Sequence, residues 1–484
     1  MSLFSEMLKQ LVDANGSNVY RIAKNAQVDR TTIHKAMSGD RVPGAAFMEK
    51  LFCALQLTPS EKNRLLEYYN IAKLGESKYR LRNQVKSIVE LIGAIGFPDD
   101  SAASPSRREL EFPKRSDVQP FSGVYSVSNM VREVIEEEIY NAKEPKICLC
   151  VPVNGTFIFN LLYSLYIQFG GTIQIRHIMR MRKLTGDMSG CLHNLDFLSV
   201  AAPFALAKGE GYKPFYYYGD DGVDQDLIAD ASYRIITSKH VVSLSADLKS
   251  AILYSTEEMV GHYRMGFEGA ESASFPFILP YGDPEARRNT EKTWYGGACY
   301  MIKPQPCFFL TPDQLKSKLI FDRPGVYEFA KPWLAKAEMH GTFNKESICV
   351  FSMEGLERFV DGGFVDDSPK YLMNPFTIKE RIEMLSTFKN ALVCGLITAA
   401  AADCGEFKIT GTLTVLLNDE GLNFSVIDGE GRSFRTALVC EEGIKAAFRD
   451  FFESLPVSGL VYQKSDMLRA VDGFIEKLKG MAGW

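Results

Sequence analysis

Residues Asn18–Gly39, NVYRIAKNAQVDRTTIHKAMSG, read as two short helices on either side of a tight turn. Ile22 and Ala23 point inward from the first helix, and the small Ala23 lets the second helix cross closely over it. Val28 plugs the turn, and Asp29 suits an N-cap because its carboxylate accepts the open N–H groups of the turn that follows. Ile33, with Ala36 or Met37, anchors the second helix, and Gly39 supplies the left-handed C-cap that ends it. Arg30, Thr31, Thr32, His34 and Lys35 are left facing outward. That set is short, polar and basic, as a helix entering the DNA major groove requires.

On these residues, IAKNAQVDRTTIHKAMSGDRVP resembles the helix-turn-helix of the Cro and phage-repressor (XRE) family, whose pattern is roughly LA-x-x-x-G-V-S-x-x-T-I-S-x-x-x-x-G-x-x-x-P. Ile22, Ala23, Val28, Thr32, Ile33, Gly39 and Pro43 fall in the matching places, and Asp29 replaces the usual Ser cap. Gln27 stands where the family has Gly, which requires a non-glycine residue at positive φ. Val19 stands where the family usually has a Gln that touches phosphate or base. The resemblance covers about 70 of the 484 residues, says nothing about the rest, and implies double-stranded DNA as partner. Arg30, Thr31, Thr32, His34 and Lys35 are then the readers, while Ser17 and Asn18 hold the backbone from the start of the first helix. One such head covers few base pairs, so a homodimer on a near-palindromic site is expected.

Around this motif the chain continues in short helices. SLFSEMLKQLVD (2–13) places Leu3, Met7, Leu8 and Leu11 on one face, Ala45–Leu55 gives another amphipathic helix, and Thr58-Pro59-Ser60-Glu61 starts a further one. The expectation is an all-α head of five short helices over residues 1–75, then a coupling helix over 76–97. Residues 98–120, with several prolines and many charges, read as a linker in which Arg107, Arg108, Lys114 and Arg115 are solvated.

From Ser128 onward helices alternate with apolar strands such as KICLCV (146–151), TIQIRHI (172–178) and SICVF (347–351), so residues 121–375 are expected to form an α/β sensor or oligomerisation domain. Residues 376–484 read as an α+β C-terminal domain or a continuation of that body, with a small antiparallel meander at 413–439 turned by NDEG and DGEG. ALVCGLITAAAA (391–402) is too short to span a bilayer and reads as a buried helix. No internal repeat of fixed period is visible. The fold class is thus multidomain: an all-α helix-turn-helix head followed by a large α/β body with a small meander near the C-terminus.

The formal charge of −5 conceals an asymmetry, because residues 1–90 carry 14 Lys and Arg against 9 Asp and Glu, a net of +5 that leaves −10 for the rest. A basic head on an acidic body fits a nucleic-acid-binding module attached to something else. The ten cysteines and the charged N-terminus lacking a signal peptide's apolar core point to reduced thiols and a cytoplasmic protein with no membrane partner.

Candidate chemistry in the body is sparse. Asp220, Asp221, Asp224 and Asp226 miss the EF-hand spacing, and Cys191 and His193 have no second pair at zinc spacing. His177, Lys183 and Asp187 fall near the H-x-K-x-x-x-x-D motif of the phospholipase D superfamily but at the wrong spacing. No catalytic residue, cofactor site or metal site is assigned, and the protein is read as a non-enzyme. Phe215–Tyr218, Trp294, Tyr295 and Tyr300 read either as core or as walls of a pocket for a small-molecule or peptide effector. Two alternatives remain beside DNA-binding transcription regulation with ligand sensing: a catalytic or degenerate, phospholipase D-like α/β body targeted by the head, or a head that is a protein-interaction module and no longer binds DNA.

Overall fold

The computed structural model describes residues 2–16, 18–95, 110–169, 172–184, 186, 188–207, 211–219, 233–280, 299–306, 310–322, 326, 347–366, 368, 370–411, 413–419, 421–427 and 434–483. Two compact units divide the chain, Met1–Gln84 and Val85–Trp484.

The first unit is all helical: α1 (Leu3–Ala14), α2 (Val19–Ala26), α3 (Arg30–Ser38), α4 (Ala45–Leu55), α5 (Pro59–Leu74) and the first part of α6 (Glu76–Gly93). Its core gathers Phe4, Leu8, Ile22, Ile33, Ala36, Met48, Leu51, Leu65 and Tyr69. Thr58 and Glu61 form a reciprocal capping box at the start of α5, with Pro59 in the first turn. The Tyr69 hydroxyl donates to the Pro43 carbonyl at 2.9 Å, which pins the loop after α3.

The second unit begins with the rest of α6. Val85, Ile88, Val89 and Ile92 are buried, and the Gly93 carbonyl accepts from Thr410 Oγ1 at 2.9 Å. In chain order it continues as β1 (Val118–Ser122), α7 (Val124–Asn141), β2 (Lys146–Cys150), α8 (Thr156–Phe169), β3 (Gln174–Met181), α9 (Ser189–Leu206), β4 (Tyr212–Tyr218), β5 (Tyr233–Ile236), β6 (Val241–Leu244), β7 (Ser250–Tyr254) and α10 (Glu257–Ser272). Two short strands, β8 (Phe275–Pro276) and β9 (Ile278–Pro280), lead to β10 (Tyr300–Lys303), α11 (Pro312–Lys318), β11 (Ile348–Ser352), α12 (Met353–Gly362), α13 (Ile378–Val393) and β12 (Thr398–Ala402). The chain closes with β13 (Leu413–Leu417), β14 (Leu422–Ile427), β15 (Phe434–Val439), α14 (Glu442–Ser454) and α15 (Lys464–Ala482).

Among the described residues these strands form two mixed sheets, ordered β1-β7-β6-β5-β2-β3-β4-β8 and β9-β15-β14-β13-β10-β11-β12. Matched strand for strand, β1 to β7 and β9 to β15 follow the same path. In each sheet the first three listed pairings and the fourth are antiparallel, and the next two, β2-β3-β4 and β10-β11-β12, are parallel. The body is therefore an internal duplication of one α/β design. Phe277, fully buried between β8 and β9, stitches the copies: its N–H donates to Pro214 and its carbonyl accepts from Cys440.

The repeat escaped the sequence because its halves share pairing, not side chains: β2 is KICLC where β10 is YMIK, and β4 is YKPFYYY where β12 is TAAAA. The meander β13-β14-β15 is present but lies inside the second sheet, so strands from both sides of residue 375 share one sheet.

Two local expectations are corrected. ALVCGLITAAAA is not one helix: α13 ends at Val393, Gly395 turns the chain at φ +66°, and Thr398–Ala402 runs as a strand parallel to β11. Short alanine side chains suit that position, packed between β11 and the Val461 bridge. The expected linker ends in a strand, since Val118–Ser122 pairs antiparallel with β7, its Pro120 tolerated on a sheet edge. Arg115 is not solvated: only 6% of its side chain is exposed, and it pairs with Glu133 at 3.3 Å, because α7 offers carboxylates there. Arg107 and Arg108 lie outside the described residues.

Candidate nucleic-acid interface

In the head, α2 and α3 flank a turn made by Gln27 and Val28. Gln27 adopts φ +51°, the left-handed conformation that the missing glycine demands, and Gly39 ends α3 at φ +87°. Ile33 and Ala36 are fully buried, so Arg30, Thr31, His34 and Lys35 stand on the exposed side of α3, with Thr32 half-buried. Burial of two positions three apart is what fixes this helix's rotation.

The sequence-assigned site residues divide by what already occupies them. Asp29 caps α3, accepting from Thr31 N at 3.1 Å and from Thr32 Oγ1 at 3.1 Å. These bonds, the Thr31 backbone N–H first, hold the Asp29 carboxyl below its ordinary pKa. Thr32 is thus committed to the cap through its hydroxyl proton. Arg30 Nε donates to His34 Nε2 at 3.3 Å, joining two expected readers one turn apart. Asn18 Oδ1 accepts from Arg21 N at 2.9 Å and caps α2, so its side-chain oxygen serves the helix. Ser17 lies outside the described residues. Thr31 and Lys35 are exposed, and the Thr31 hydroxyl also bonds to the Asp29 carboxylate.

Sequence reading passed over Tyr20, which is 61% exposed in the first turn of α2. It also passed over the exposed Arg21, Lys24 and Arg41. The available signal was the same burial logic: Ile22, Ala23 and Ala26 define the inner side of α2, which turns Tyr20, Arg21 and Lys24 outward.

In the body, the residues singled out for chemistry are mostly engaged in structure. Cys191 is buried, and His193 Nε2 contacts the Arg180 carbonyl at 3.0 Å. Phe215–Tyr218 lie on β4, where Tyr216 packs against Tyr218, Phe275 and Phe277, and Tyr218 donates to Glu441 Oε1 at 2.8 Å. They serve packing: Tyr216 is buried, and Phe215 and Tyr217, half-buried, pack against the core around Cys148, Ile178 and Phe267. Tyr300 donates to Glu453 at 3.0 Å. Asp187, the aspartates of 220–226, Trp294 and Tyr295 lie outside the described residues. Among the described residues no disulfide joins the cysteines, and no helix is long and apolar enough to cross a membrane.

His177 is fully buried on β3, with Nδ1 2.9 Å from the Tyr212 hydroxyl, and burial pushes its pKa down to about 3. The folded body therefore holds this imidazole neutral, whereas the unfolded chain protonates it near its ordinary pKa of about 6.5. The stability it contributes is complete above about pH 6.5 and is lost as pH falls toward the folded value. Chemical denaturation between about pH 6.5 and 5 is expected to show stability dropping by up to about 1.4 kcal/mol per pH unit from this group, and His177→Gln should remove that share of the slope. An identical slope in the variant would show that His177 is not the proton site.

No family model matches the chain, and no curated protein matches it. Among solved structures it is similar to TrmBL2, an archaeal chromatin protein described as showing a novel mode of DNA binding. That match has 11% identity and a TM-score of 0.22, and covers 56% of this chain and 98% of the other. A superposition at that score does not define a shared fold.

Proposed function

We propose that the protein is a sequence-specific, DNA-binding regulator of transcription, with Met1–Gln84 as reading head and a duplicated α/β body that senses a signal, mediates oligomerisation, or both. The observation that carries this reading is α3: Arg30, Thr31, His34 and Lys35 are exposed along a helix whose other side, Ile33 and Ala36, is locked in the core. A short helix held in that way fits a major groove, and Arg21, Lys24 and Arg41 add positive charge suited to flanking phosphates. The protein acts as a homodimer in the cytoplasm, by binding rather than catalysis, and Asn18 contributes its remaining amide protons to the DNA backbone.

Lys35→Ala is expected to weaken binding uniformly across sequences and to lower the salt slope by about one charge. Thr31→Ala or His34→Ala should change site preference, by about 1–3 kcal/mol at one base pair. Genome-wide capture and salt-titrated binding with the full-length protein test this. Unchanged affinity and selectivity in all three variants would overturn α3 as the reader.

A further inference from the structure

A cleft of about 640 Å³ opens in the body between the last turn of α6 and one stripe each of α8 and α9. Its walls are mainly apolar: Leu91 from α6 and Ile95 just beyond it, Phe159 and Tyr163 from α8, and Phe204 from α9. The aromatic floor is rigid, because Phe204 stacks on Tyr212 at 4.9 Å and meets Tyr163 edge-on at 5.2 Å. Among the described residues no Asp, Glu, Lys, Arg or His lines it. Its size falls in the range of about 300–1,000 Å³ typical of small-molecule sites.

Thr156, Asn160 and Ser199 bring polar groups to the wall, and at Ser199 a backbone group joins them. Pro203 lies inside α9 and has no N–H, so the Ser199 carbonyl, four residues earlier, lacks its helical donor. Both residues line the cleft.

We infer that this cleft binds a neutral, largely apolar small molecule carrying one hydroxyl or amide donor, which gives its proton to the Ser199 carbonyl while its hydrocarbon or aromatic part lies on Phe159, Tyr163 and Phe204. The described lining offers no charge to compensate the desolvation of a phosphate or carboxylate, which favours a neutral ligand. This assignment rests on the reading of the body as a sensor, and it places the signal on the end of a helix, Glu76–Gly93, that starts in the head unit.

The test uses the full-length protein with 2-naphthol, a neutral fluorescent phenol, and 2-methoxynaphthalene, which has the same shape and no donor. Saturable binding of 2-naphthol, at least tenfold weaker in Ala94→Trp and in Val200→Trp and weaker for the methoxy compound, is the expected result. Ala94 is exposed and Val200 half-buried, so both fill the cleft without entering the core. Affinity unchanged in both variants overturns the site, and equal affinity for the two naphthalenes overturns the Ser199 contact. Failure of the wild type to bind, with self-association that either substitution abolishes, overturns the site in favour of a second copy of the chain. Binding that obeys the expected pattern but leaves DNA affinity unchanged upholds the site and overturns only the sensing role.

Discussion

Ile33→Ala is expected to abolish DNA binding by unfolding the head, without any contact to DNA being lost. Ile33 is 0% exposed and sits among Leu8, Ile22, Ala36, Met48 and Leu51. Cutting it to Ala removes three buried carbons and leaves a cavity that short, mutually braced helices cannot easily close, at a cost of about 2–5 kcal/mol. A unit as small as Met1–Gln84 has limited stability to lose, since small domains bury a low fraction of their surface. The full-length variant should therefore show a lowered first transition on heating, an undiminished body transition and little specific binding. Lys35→Ala is the matched control, because Lys35 is exposed and its loss should weaken binding without moving the melt. An Ile33→Ala protein that melts like the wild type would show that α3 is not held by this core.

Glu138→Ala is expected to destabilise the body by about 2–4 kcal/mol, a large effect for a residue drawn from a run of three glutamates. Glu138 is 3% exposed on α7. One carboxylate oxygen accepts from Lys146 N at 2.9 Å, and the other from Ser238 N at 2.8 Å and from the Ser238 hydroxyl. The side chain thus ties the start of β2 to the turn between β5 and β6, where the parallel and antiparallel parts of the first sheet meet. Removing it strands backbone donors in a partly buried site, and water replaces the carboxylate only in part. Glu138→Gln keeps the shape and one good acceptor and should cost less. Denaturant midpoints read both; an Ala variant within about 0.5 kcal/mol of wild type would show that water replaces the carboxylate in full.

Glu138 also shows where sequence reading stops. EEE at 136–138 scans as the polar side of an amphipathic helix, yet Glu137 pairs with His240 at 3.1 Å, and Glu138 is swallowed by the sheet. Nothing local separates the two. The same holds for Phe215–Tyr218, whose aromatic run fits core and pocket equally until β8 and Glu441 are seen to cover it.

What the sequence by itself determined is the head's local architecture: the caps at Asp29 and Gly39, the left-handed Gln27, the Thr58–Glu61 box and the inward Ile22, Ala23 and Ile33. Each depends on residues within a few positions of one another, so the pattern is complete within a short stretch. Only the tertiary structure decided that the body is one design used twice and that α6, α8 and α9 line a cleft. The first of these rests on pairings such as Tyr300 with Leu417 and Ile278 with Val439. A strand's own residues specify which face is apolar but not which distant edge it will join.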